Sequence, residues 1–234
     1  MKPKRYGYFF QILRHIARLF FKRYRFQSPP KVDGPVVLVS HHQNLVGPFT
    51  IMLWIPIFVR IWVLGVFSRF KDCYHQYVDW TFTKRFHMPV WLAKVLAAPA
   101  AQIIVTGTRS MGAIPVFRGT REIMKTMEES LKTLKAGTPV LIFPDRDYAS
   151  DSGETGEIYA GFLHLEKMYY RKYHEHVNFV PMFSDKHEHY IRFGEPIRFR
   201  DDETFRKGRD RVAKALRASL NELNLEGEEE TSSE

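Results

Sequence analysis

The stretch VVLVSHHQN (residues 36–44) decides the fold of this chain. Its first five residues are a short apolar run bounded by DGP (33–35) and by polar residues, which predicts a buried strand. The two histidines come directly after that strand. In sheets built from strands and helices, reactive side chains gather where strands end and loops begin.

Downstream of this strand, apolar runs alternate with amphipathic ones, and this alternation favours an α/β fold. We expect a single domain with a mixed, mostly parallel central sheet flanked by helices and preceded by an amphipathic N-terminal helix. The predicted strands are 113–117, 139–143 and 177–183, followed by a hairpin-like pair, 190–193 and 197–199. The predicted helices are 74–107, 120–135, 159–173 and 203–223.

Residues 49–67 are nearly all apolar and permit two interpretations, a transmembrane span or a buried helix (49–55) followed by a strand (58–67). Pro56 divides the stretch, and Arg60 would lie inside the bilayer at a cost of a few kcal/mol. The buried helix and strand are therefore favoured, and a span stays open.

The N-terminal residues 6–26 have helical periodicity, and no acidic residue precedes Asp33. A basic, Phe-rich amphipathic helix is typical of one lying in a membrane interface, where each Lys or Arg near anionic lipid adds about 1 kcal/mol. The alternative is a helix packed on the core with a solvated basic face. The apolar face comprises Phe9, Ile12, Leu13, Ile16, Leu19 and Phe20, and the basic face Arg14, Arg18, Lys22 and Arg25.

The composition bounds the class of protein. The chain has 234 residues, 44% of them hydrophobic, and a formal net charge of +9, which favours nucleic acid, anionic lipid or a phosphorylated substrate as partner. A single cysteine, Cys73, fits a reducing compartment, and no signal peptide is expected. We predict a membrane-docking helix (1–30), an α/β domain (31–224) and an acidic disordered tail (225–234).

Reactive residue types follow three of the predicted strands. A histidine at 41 or 42 can act as a general base, although hydrogen-bonded loop histidines are the plainer interpretation. Arg118, beside Gly119, could hold a phosphate or pair with a carboxylate at the sheet edge. The segment DRD (145–147) could bind polar substrate groups, orient an imidazole, or form a solvated turn.

Four blocks in order resemble the 1-acylglycerol-3-phosphate acyltransferases and the related glycerol-phosphate acyltransferases, over residues 36–199. The first is HHQN (41–44), with His42 at the position of the family's histidine. The others are GAIPVFRG (112–119), FPDRDY (143–148), and VP (180–181), with the turn GEPI (194–197).

The resemblance implies transfer of an acyl group from acyl-CoA or acyl-carrier protein to a lysoglycerophospholipid hydroxyl, in phospholipid synthesis. It implies no permanently bound cofactor or metal, and a peripheral or monotopic location on the cytoplasmic face of the cell membrane. His42, as general base, and Asp145, which would hydrogen-bond the acceptor, are the predicted catalytic residues. The predicted substrate contacts are His41, Asn44, Arg118, Gly119, Arg146 and Asp147.

Two departures from the family pattern affect the predicted activity. Gly47 stands where the family has an Asp, and Tyr148 stands where it has an Arg. In the serine-protease triad, disabling the orienting Asp lowers the rate about ten-thousand-fold. Asp145 or Asp147 could substitute for the missing carboxylate. The alternative is an inactive membrane- or lipid-binding relative with the same fold.

Two other signals are weaker. The segments HEH (174–176) and HEH (187–189) lack the helical spacing of a zinc-protease motif, and loop histidines explain them, so no metal is expected. The basic charge permits nucleic-acid binding. Basic residues alternating with a Phe-rich helix face favour lipid instead, so an anionic membrane surface is the expected partner and nucleic acid is not.

Overall fold

A computed structural model describes residues 5–117, 119, 121–146 and 154–231, with side chains described up to residue 225 of the last helix. Within those residues the strands are β1 (Arg25–Phe26), β2 (Val36–Ser40), β3 (Arg60–Leu64), β4 (Ile114–Val116), β5 (Val140–Ile142), β6 (Asn178–Asp185) and β7 (Tyr190–Phe193). The α-helices are α1 (Tyr8–Phe20), α2 (Val46–Trp54), α3 (Phe70–Gln76), α4 (Val90–Ser110), α5 (Ile123–Lys135), α6 (His164–Tyr173) and α7 (Phe205–Thr231).

The chain divides into two compact units. Unit 1 comprises Met1–Ile16 and Arg60–Glu129, and unit 2 comprises Ala17–Val59 and Ser130–Glu234. The predicted boundaries at residues 30 and 224 stay predictions. The helix α7 runs through most of the predicted acidic tail, and residues 232–234 lie outside the described part of the chain.

Unit 2 contains a five-stranded stretch of sheet in the order β1-β7-β6-β2-β5. β2 lies parallel to both β5 and β6, and β6 lies antiparallel to β7. The side chains of Val37, Leu141 and Phe179 are fully buried. Continuous apolar runs of this kind form strands that are covered on both faces.

Unit 1 contains β3 and β4 as a parallel pair, with Trp62 opposite Ile114. Its helical part comprises α3, a π-helical segment (Tyr77–Arg85) and α4. Part of its core is a cluster in which buried Cys73, Ala101 and Val105 pack together.

The predicted fold class is confirmed: the described chain is α/β, with mostly parallel strands flanked by helices and an amphipathic helix at the start. The favoured interpretation of residues 49–67 is also confirmed, because α2 and β3 form there. One helix of the described part, α4, is by length and composition apolar enough to cross a membrane.

Three predicted elements were wrong. The antiparallel partner of β7 is β6, and the expected second hairpin strand makes only a bridge from Ile197 to Phe179. Residues 25–26 form β1 rather than helix, because they pair with β7. The predicted helix 74–107 is interrupted at His87, which has a left-handed φ of 53°, and Pro89, which restricts the residue before it to extended backbone.

The helix α1 exposes most of its predicted apolar face, whereas Phe9 and Leu13 are half-buried. Arg18 points the other way, donates to the backbone carbonyl of Leu53 and lies over the Trp54 ring. This differs from the alternative in which the apolar face packs on the core and the basic face is solvated. The exposed large apolar residues of α1 are Tyr8, Ile12, Ile16, Leu19 and Phe20.

Candidate active site

The site lies in unit 2, where the neighbouring parallel strands β2 and β5 end. Val39 lies opposite Ile142, so the residues that follow the two strands emerge at the same edge of the sheet. This places His41 beside Asp145, far apart in sequence. Asp145 is held there by a bridge to Ile158.

The Asp145 carboxylate binds both histidines, but in different ways. Its Oδ1 lies 2.5 Å from Nδ1 of the His41 ring, and its Oδ2 accepts a 2.8 Å hydrogen bond from the backbone N–H of His42. His41 is 2% exposed and Asp145 5% exposed. The predicted carboxylate partner of an imidazole therefore exists, but the ring it contacts is His41 and not His42.

The His42 ring makes a local contact instead. Its Nδ1 accepts a 3.2 Å hydrogen bond from the backbone N–H of Leu45, and its ring meets the edge of Phe143 at 5.8 Å between centroids. An Nδ1 that accepts carries no proton, so the neutral His42 ring is protonated at Nε2. The His42 ring is partly exposed.

The turn after the histidines is strained. Gln43, Asn44 and Leu45 have φ angles of 44°, 45° and 78°, in the left-handed region that residues with side chains rarely adopt. Each such residue costs on the order of 1 kcal/mol or more and persists where the surrounding structure imposes it, often at functional sites. The predicted substrate contact Asn44 is the central residue of this turn.

The backbone packs too closely around Gly47 for the Asp that the family has at this position. A Cβ at this position would lie 2.2 Å from the backbone carbonyl oxygen of His41. The Gly47 N–H also donates to the carbonyl oxygen of His42, which fixes the two segments against each other. No side chain fits at residue 47 without a shift of the backbone.

Of the remaining predicted site residues, the structure describes Arg146 and Gly119. Arg146 pairs with Glu157 at 2.9 Å, and both side chains are largely exposed. Gly119 belongs to unit 1 and has a left-handed φ of 73°. Arg118 and Asp147 lie outside the described residues.

Among the described residues, no group of three or more His, Cys, Asp and Glu side chains could hold a metal ion. In the segment 174–176, His176 is bound by two carboxylates: Nδ1 lies 2.6 Å from Glu166 and Nε2 3.0 Å from Asp201. Burial lowers the pKa of His176, but the hydrogen bonds and negative charges of Glu166 and Asp201 together outweigh burial and raise the pKa above its usual value.

Unit 2 also contains a cavity of about 270 Å³, and none of the predicted site residues lines it. Its walls come from the end of α1, the segment after it, α2 and one loop histidine. The lining residues are Phe20, Phe21, Lys22, Tyr24, Phe49, Thr50, Leu53, Trp54 and His189.

The sequence did not identify His41 as the partner of Asp145. The only signal was the adjacency of two histidines after one strand, which leaves the choice between them open. No sequence pattern indicated that Ile158 holds Asp145, because that bridge joins a loop residue to the end of a strand.

The fold is similar to that of an acyltransferase of known structure. A crystal structure of the 1-acyl-sn-glycerophosphate (LPA) acyltransferase PlsC from Thermotoga maritima aligns with 92% of this chain and 79% of that chain, with a TM-score of 0.51. The sequence identity is 14%, so the likeness establishes the fold. No family model and no curated protein matches the sequence.

Proposed function

We propose that this protein is an acyltransferase that moves a fatty acyl group from acyl-CoA or acyl-carrier protein to a lysoglycerophospholipid hydroxyl. The observation that carries the proposal is the 2.5 Å contact between Asp145 and the Nδ1 of His41 at the ends of two parallel strands. An acyltransferase-like fold with such a pair has the group that hydroxyl activation requires.

The proton position favours His41 as the base. Its Nδ1–H donates to Asp145, which leaves Nε2 unprotonated and able to accept a proton. Exposure favours His42, the predicted base, but the contact with Leu45 puts the proton of that ring on Nε2. We choose His41, because a ring must carry the right tautomer to act, whereas geometry without substrate does not exclude a buried base.

The transfer needs no covalent enzyme intermediate. The acceptor oxygen attacks the thioester carbonyl as His41 Nε2 takes the hydroxyl proton. The new C–O bond forms, the C–S bond breaks, and the protonated imidazole returns its proton to the departing thiolate. The Asp145 carboxylate stabilises the imidazolium in between, which is the role of the acid in other histidine-based transferases and hydrolases.

Exposed basic residues would bind the acceptor phosphate. Arg146 shares an exposed ion pair with Glu157, and such surface pairs contribute only about 0–1 kcal/mol. Little is therefore lost when Arg146 exchanges Glu157 for a phosphate. Asn44 keeps its predicted substrate contact in this proposal, whereas the contacts of Arg118, Gly119 and Asp147 stay predictions from the sequence.

The exposed apolar face of α1 supports a peripheral or monotopic position on an anionic membrane, on the cytoplasmic face. Contiguous exposed apolar surface of this kind marks a binding surface. The acceptor lipid would then be taken from one leaflet.

The test is transfer of a labelled acyl group by purified protein with vesicles and a panel of lysophospholipids, with acyl-CoA and acyl-carrier protein as donors. We expect His41→Ala and Asp145→Asn to lower the rate about a thousandfold or more, because each removes the base or its partner. His164→Ala is the matched control, because His164 is an exposed histidine on α6.

Each other outcome is decisive. Loss of transfer in His42→Ala, with transfer retained in His41→Ala, would return the base to His42. Transfer unaffected in both would refute histidine catalysis at this site. No transfer by the unaltered protein with any donor and acceptor would favour the inactive lipid-binding relative. Circular dichroism of each variant separates loss of function from loss of fold.

A further inference from the structure

The helix α4 in unit 1 buries mainly small residues and exposes most of its large apolar ones. The buried stripe consists of Ala93, Ala97, Ala101 and Val105. In a water-soluble domain the large apolar side chains of a helix normally face the core. Of the eighteen consecutive residues that form the most apolar part of α4, only 28% are buried. The exposed large apolar residues of α4 are Val90, Trp91, Val95, Leu96 and Ile103.

The neighbouring segment continues this exposed surface. Trp80 is 55% exposed, and Phe86, after the π-helical segment, is also exposed. Lys84 lies over the Trp80 ring, 5.5 Å from its centroid. Aromatic rings with basic side chains beside them are typical of the boundary between lipid headgroups and acyl chains. We call these exposed residues of α4 and its preceding segment the α4 surface.

The charged residues within the segment that forms the α4 surface are basic. Lys84, Arg85 and Lys94 are exposed, and no acidic residue occurs between Asp79 and Glu122. A protein–protein interface has a polar rim, whereas an anionic bilayer attracts Lys and Arg. Basic residues without acidic ones therefore favour a bilayer as the partner of this surface.

We propose that the α4 surface lies in the interface of an anionic membrane, with Trp80, Phe86 and Trp91 at headgroup level and Val95, Leu96 and Ile103 among the acyl chains. The helix α4 lies along the membrane surface rather than crossing the bilayer, because its alanine stripe is buried against the rest of unit 1. This surface is formed by other residues than the apolar face of α1, and the proposal does not depend on acyl transfer.

A probe attached to α4 tests the contact directly. Cys73 is fully buried, and burial raises the pKa of its thiol to about 11, so Val95→Cys offers the one reactive thiol among the described residues. With an environment-sensitive fluorophore on that thiol, we expect a blue shift when phosphatidylglycerol vesicles are added. The same label on Lys132→Cys, on exposed α5, is the control and should not shift.

A second variant measures how much the surface contributes. We expect Trp91→Ser with Val95→Ser to lower the partition coefficient onto these vesicles at least about tenfold, because two exposed apolar groups no longer enter lipid. The matched control is Met124→Ser with Leu225→Ser, which removes apolar side chains of similar exposure on α5 and α7. Binding should fall when phosphatidylcholine replaces the anionic lipid or when salt is raised.

Three results would overturn the proposal. The first is vesicle binding without any change in emission at residue 95, since the membrane would then contact only other surfaces. The second is a shift without vesicles that grows with protein concentration alongside a dimer in light scattering, since a second copy would then cover α4. The third is equal binding to zwitterionic and anionic vesicles. None of these measurements requires an acyl donor, so they stand apart from the transfer assay.

Discussion

Two histidines of unit 2, His41 and His176, are held by carboxylates in different ways. The His41 ring has Asp145 on Nδ1, whereas the His176 ring has Glu166 on one nitrogen and Asp201 on the other. A ring that donates from both nitrogens is an imidazolium, which has no lone pair with which to take a proton. A neutral ring that donates from Nδ1 has its lone pair on Nε2, which is the tautomer of a base.

The pair of His176 with Glu166 is structural, whereas the pair of His41 with Asp145 is the candidate catalytic one. Glu166 is buried and also accepts from the backbone N–H of Val177, so the His176 group connects α6 to the start of β6. Asp145 likewise binds a ring and a backbone N–H, but it lies beside a strained turn at strand ends. The surroundings, more than the carboxylate contact itself, therefore distinguish the two.

The largest expected effect is on transfer rate. Asp145→Asn should lower it about ten-thousand-fold, because the amide cannot stabilise an imidazolium. Glu166→Gln should leave the rate per folded molecule unchanged. Steady-state assays on both variants check this. Similar losses in the two would mean that the histidine groups do not differ in role.

An Asp at residue 47, where the family has its carboxylate, should destabilise the protein. We expect Gly47→Asp to destabilise the protein by about 3 kcal/mol, because its Cβ would overlap the His41 carbonyl and its charge would be buried. Thermal unfolding measures the loss, and Gly156→Ala, which meets no atom within 4 Å, is the control. A stable Gly47→Asp protein with higher activity would contradict the geometry.

Removing the buried carboxylate at His176 should affect stability only. Glu166→Gln is expected to cost about 1–3 kcal/mol, because a charged hydrogen bond to the ring is lost in a buried position. Denaturant unfolding checks the value. An unchanged midpoint would show that the His176 group contributes little to the fold.

The smallest expected effect is a pH dependence of stability. The raised pKa of His176 means that its contribution is fully present below about 6.5, the unfolded value, and is lost as pH rises through the folded value. The difference in Tm between the unaltered protein and His176→Gln should shrink from pH 6 to pH 8. A difference that grows with pH would reverse the sign of the linkage.

The sequence predicted the parts of the fold that depend on local pattern. The strand β2 has its predicted bounds, because five apolar or small residues between turn residues permit little else. The second hairpin strand was wrong, because Ile197 pairs with distant Phe179 and local pattern does not specify long-range pairing.

The candidate site was predicted to the level of strand ends but not of single rings. The sequence left Asp145 and Asp147 as alternatives for a carboxylate near the histidines, and the parallel strands that end at one edge place Asp145 beside His41. The choice between His41 and His42 depends on backbone angles in the turn after them, and the left-handed Gln43 and Leu45 have no signature in side-chain type. Positive φ angles favour glycine or asparagine, and among the three residues of this turn only Asn44 is of either type.

The tight fit at Gly47 also restricts which sequences are reachable from this one. A single codon change can write an acidic residue at position 47, but the protein would lose stability before gaining a second carboxylate near the histidines. Any route to that arrangement must first remodel the loop. A second carboxylate beside the histidines is therefore reached only through several coordinated substitutions.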